Sequence, residues 1–199
     1  MARLGLILFV FLGCCIPLFG EINQIILTWQ AGLCSNTCIQ NLEKRLKEIP
    51  AIQELHLNSS AGMATMHWSS GATFWFEPFN TATRMVGIRL STIRLKVSGK
   101  VVKEGSLFYL NSIGDTSRFR LIGPLQASVE NYTIQQNVMN YSLSPQMVAQ
   151  LNEWADKKAT ISVSGPLFEP NRPALILIVE DIHPEKKPTK SETTPPNIF

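Results

Sequence analysis

Hydrophobic positions along the chain change their period several times, and each change marks an element. Residues 24–28 form a β-rich run. Leu42, Leu46 and Ile49 then recur at helical spacing, with Glu43, Lys44, Arg45, Lys47 and Glu48 on the other face, which predicts a strand followed by an amphipathic helix. Pro50 ends that helix. Ile52, Leu55 and Leu57 lead into the turn-forming cluster Asn58-Ser59-Ser60-Ala61-Gly62, and Ala64, Met66 and Trp68 alternate on the return, which predicts a hairpin. The aromatic run Phe74-Trp75-Phe76 precedes a second helix expected around residues 80–87 and a β-rich segment over residues 93–97.

The pattern changes near Ser91. Residues 95–103, 107–110 and 119–122 look like strands, punctuated by Gly99, Gly105 and Gly114. Ser144 is placed to cap a helix with Pro145 at its first position, and Met147, Val148, Leu151 and Trp154 keep helical spacing through residue 158. Residues 159–167 and 174–182 close the pattern as two more strands, the last nearly all apolar.

The first order, β-α-β-β-α-β, is that of a ferredoxin-like arrangement with helices on one face of an antiparallel sheet. The second, three strands, a helix and two strands, is that of an OB-fold barrel. The expected fold class is α+β: a ferredoxin-like domain over residues 21–92, then a small OB-like β-barrel domain over residues 93–183. Residues 184–199 hold four prolines and almost nothing apolar before Ile198, so they read as a tail that cannot offset its ordering entropy by burial.

Residues 1–20 differ from everything after them. Arg3 is followed by an uncharged apolar run that Gly13, Pro17 and Gly20 interrupt. That run is shorter than the roughly 20 residues a spanning helix needs, and it matches a signal peptide. Export to a periplasmic or envelope location is expected, with cleavage after Gly20. Alternatively, through the loose lipobox Phe11-Leu12-Gly13-Cys14, a lipid on Cys14 would attach the chain to the membrane.

Composition adds two limits. With 45% hydrophobic and 17% charged residues, the chain can build a core. Its net charge of +3 supplies no basic stripe, which disfavours a nucleic-acid partner. Lys96, Lys100, Lys103, Arg118 and Arg120 fall on the expected strands of the second half, but export argues against that use.

Cys34 and Cys38 lie between the first strand and the amphipathic helix, where a helix's unpaired amide donors point. That position lowers a thiol pKa, and thiolates are the ligands that Cu(I) and other thiophilic ions prefer. A local disulfide, or two idle thiols in a packing scaffold, fits the same residues. Residues 25–97 resemble a heavy-metal-associated domain, as in copper chaperones and periplasmic mercury-binding proteins. Gly32, Leu33, Cys38, Leu42, Glu43, Leu46 and Ile52 occupy signature places, with Ala51 where the family has Gly. The family's first metal cysteine would fall on Ser35, so the spacing here is Cys-x3-Cys. Either the loop bulges to bring Cys34 in, or the fold is kept with weakened metal binding.

The resemblance implies an exported metal-binding or metal-trafficking protein that holds a soft ion, such as Cu(I), through Cys34 and Cys38 and serves a metal transporter or another envelope protein. The alternative is an envelope interaction module whose OB-like half recognises a peptide, a sugar or a protein. No phosphate loop, nucleophile elbow or zinc-protease motif is present, so an enzyme is not expected. His56 and His67 sit between apolar alternates on the hairpin and should face solvent. Trp29, Trp68, Phe74, Trp75 and Phe76 are expected in the core or between the halves.

Overall fold

The computed structural model describes residues 22–32, 34–125 and 138–185. The expected leader with Cys14 and Gly20 lies outside the described residues, as do Leu33 and the tail beyond Glu185. No described helix is long and apolar enough to cross a membrane. The fold is mixed α/β, a large and mostly antiparallel sheet with few helices.

Strand β1 (Ile22–Trp29) is followed by helix α1 (Asn36–Lys47), the hairpin β2 (Ile52–Asn58) and β3 (Met63–Trp68), helix α2 (Glu77–Met85) and strand β4 (Leu90–Glu104). These strands pair antiparallel in the order β2-β3-β1-β4. Register puts Ile25 opposite Met66 and Leu27 opposite Ala64, so alternate residues enter one buried face. Leu42 and Leu46 of α1 and Phe79 and Ala82 of α2 close that face. Helix α2 begins earlier than its expected start at Asn80, because Pro78 fits the first helical turn.

Strand β4 runs unbroken for 15 residues. Its first half pairs with β1, and residues from Gly99 onward pair with β5 (Leu107–Ser112). The boundary expected between residues 92 and 93 therefore falls inside one strand, and Gly99, read as punctuation, lies mid-strand. Strand β5 pairs with β6 (Arg118–Ile122), and β6 runs parallel to β8 (Leu175–Ile178). A Leu167–Leu177 bridge returns the path to β7 (Thr160–Pro166), which pairs back onto β4. Between β6 and β7, helix α3 (Pro145–Asp156) packs on β4, with Ser144 Oγ accepting from the Met147 amide at 3.2 Å.

The final expected strand is two. After β8 the chain leaves β6 and forms β9 (Asp181–Pro184) beside β7. The changeover shows in two bonds: Val179 N–H donates to Ile122 O, and Glu180 N–H donates to Ser164 O. Pro184, expected in the tail, closes β9. One core cluster takes residues from both halves, from Ile25 and Phe79 to Phe119 and Val163.

Candidate functional site

Strand β1 ends at Trp29, whose amide donates to Gly62 O at 2.8 Å. The chain then turns and enters α1 through Ser35, an extended N-cap whose Oγ accepts from the Cys38 amide at 3.3 Å. Cys34 precedes this cap and Cys38 stands in the first turn. Their Cα atoms are 5.4 Å apart and their sulfurs are joined in a disulfide. Both are half-buried against the core, and Cys38 Sγ lies 3.5 Å from Val86 O. The first turn of α1 carries no acidic residue, and Lys44, Arg45 and Lys47 occupy its last turn. The amide field at the Cys34–Cys38 end is thus not offset from within the helix. Among the described residues, no group of three or more His, Cys, Asp and Glu side chains gathers as a metal site. What the sequence brings together is the sulfur pair alone.

His56 and His67 are exposed on the outer face of the hairpin, as alternation requires, with His67 Nε2 3.9 Å from Glu54. Trp29, Trp68, Phe74 and Phe76 are buried, but Trp75 is 62% exposed. Of the basic residues in the second half, Arg118 pairs with Glu104 at 2.6 Å and stacks on Tyr109. Lys103 Nζ donates to Asn152 Oδ1, and Arg120 Nε is buried with no hydrogen-bond partner among the described residues. Lys103 and Arg120 line a groove of about 580 Å³ with Tyr141.

Sequence reasoning missed the junction of the two halves. Helix α2 ends in a left-handed Gly87 (φ 76°), with Gly87 N–H donating to Arg84 O and Ile88 N–H to Thr83 O. This Schellman closure turns the chain from α2 straight into β4. It leaves a cleft of about 570 Å³ lined by α2, the 87–93 segment and Leu167, Pro170 and Asn171 from the connection between β7 and β8. A smaller hollow of about 370 Å³ adjoins it, sharing Gly87 to Ser91 and reaching Trp29, Gln30 and Cys34. Arg84 and Arg89 are both exposed and line the larger cleft, and Arg89 lines both. Neither has an ion-pair partner among the described residues. Glu169, next to the lining residue Pro170, is paired with Arg172.

No family model, no curated protein and no solved structure matches the chain.

Proposed function

We propose that the chain is an exported recognition module, not an enzyme, and that it takes an acidic segment of an envelope partner into the cleft where its halves meet. The strand order β2-β3-β1-β4 with crossing helices α1 and α2 suits a ferredoxin-like unit. The path β4-β5-β6-β8 back to β7, with one parallel pair and a helix before β7, suits an OB-like barrel. The two units share β4, which holds the cleft walls in fixed relation. The observation that carries the function is the pair Arg84 and Arg89, two guanidiniums on one concave surface with no ion-pair partner among the described residues. A guanidinium meets carboxylates with two parallel hydrogen bonds, so the cleft favours acidic over basic peptides. Titration calorimetry with a short Glu-rich peptide tests this. Saturable binding is expected, weakened at least about tenfold, or roughly 1.4 kcal/mol, in the Arg84→Ala/Arg89→Ala double variant. Equal binding by that variant overturns the proposal.

A metal-carrying role has separate support. Cys34 and Cys38 already converge at the start of α1, so once a dithiol reductant supplies two electrons and two protons, itself becoming a disulfide, both sulfurs can turn to one soft ion such as Cu(I). The resemblance to heavy-metal-associated domains adds to this on its residues alone, and a metal transporter would be the natural recipient. One-to-one Cu(I) binding by the reduced protein, lost in Cys34→Ser/Cys38→Ser, is the expected result. Equal binding by the serine variant removes the role.

A further inference from the structure

We infer that β2 is a pairing edge through which two copies of this chain join into one continuous sheet. Among the described strands the pairing path ends at β2 and β8, and β9 is the outer strand of the branch through β7; the outer side of β8 is bridged at Leu177 to Leu167, which leaves β2 and β9 as the edges. The β9 edge is protected: it has four residues, opens with Asp181 and ends in Pro184, which has no amide hydrogen to offer. The β2 edge has seven residues, no proline and no lysine, with a register shift only between Ile52 and Glu54. From Glu54 to Asn58 it is a regular strand with one side unpaired among the described residues. Leu55 and Leu57 sit there only half-buried, packed against the core from the rim, so a neighbouring strand would complete their cover.

The strand is also complementary to itself. In an antiparallel pair, opposite residues share a face, so a two-fold axis through a residue keeps the helices of both copies on one side. With the axis at Leu55, the two Leu55 side chains meet on the helix-covered face, and Glu54 of each copy stands opposite His56 of the other on the open face. Glu54 already faces His67 of its own chain on that surface. Shifting the axis to His56 still sets leucine against leucine, Leu55 opposite Leu57, but it places two imidazoles against each other and gives up both Glu54–His56 pairs. The seam thus selects a second copy of this chain in one register, independently of what enters the cleft.

Sedimentation of the full exported chain over a range of concentrations tests the inference. A monomer–dimer equilibrium is expected. Glu54→Lys weakens it about tenfold, whereas the exchange variant Glu54→His/His56→Glu, which restores both pairs across the seam, retains it. Mixing Glu54→Cys with His56→Cys chains under mild oxidation gives a covalent mixed dimer, and unchanged thermal unfolding of the variants shows that the fold is intact. A monomer at every concentration, a dimer indifferent to Glu54→Lys, or cross-linking no greater in the mixture than in either variant alone overturns the proposal.

Discussion

Phe74 and Phe119 pack ring against ring, 6.3 Å between centroids, although one lies in the connection after β3 and the other is the second residue of β6. The Phe74 amide also donates to Ser117 Oγ at 2.8 Å, and Phe74 touches Trp68 and Phe79 as well. A single side chain therefore belongs to the packing of both halves. Phe74→Ala removes a fully buried aromatic and is expected to cost about 3–5 kcal/mol. Because the core is shared, circular dichroism and tryptophan fluorescence should report one coincident transition in wild type and variant alike. Two separated transitions in the wild type would show that the halves unfold independently.

The Cys34–Cys38 link closes a very short loop. Chain-entropy arguments give about 2 kcal/mol for a ring of this size. Reduction with dithiothreitol, or Cys34→Ser/Cys38→Ser, should lower stability by no more than that and leave the sheet assembled, since Ser35 still caps α1. Urea unfolding with and without reductant is the measurement. A loss of all structure on reduction would mean that the link does far more than its loop length allows.

Where the chain changes over from β8 to β9 it passes tightly over β7. A Cβ at Gly165 would lie 1.8 Å from Ile178 O, which is backbone and cannot move aside cheaply. Gly165→Ala is expected to cost on the order of 3 kcal/mol and to loosen the β7–β9 pairing first. Amide exchange read by NMR should show faster exchange at Ser162 and His183, which face each other as a hydrogen-bonded pair of that ladder, than in the wild type. Unchanged protection there would contradict the crossing geometry.

Much of this fold was legible in the chain. The alternation in β1 and the hairpin, and the Ser144–Pro145 start of α3, follow from local periodicity and capping, so their elements stand where the pattern puts them. The continuity of β4 was not legible, because Gly99 looks like a break unless Leu110 and Asn111 are known to lie beside it. The change from β8 to β9 was hidden for the same reason: an apolar run says nothing about which neighbour each half pairs with. At the sites, spacing marked Cys34 and Cys38 as a pair, but a four-residue separation is equally compatible with a disulfide and with a clamp. Arg84 and Arg89 gave no signal at all. Each is an ordinary surface charge in the sequence, and only the Schellman turn at Gly87 brings them onto one cleft.

The central claim is that ligand recognition happens where the halves meet. Two-dimensional amide NMR of the chain during titration with a Glu-rich peptide tests it most directly. The largest shifts are expected at Gly87 to Ile93 and at Asn171, with little change at Gly105 and Ser106 in the opposite groove. Shifts concentrated in that groove, or none at saturating peptide, would contradict it.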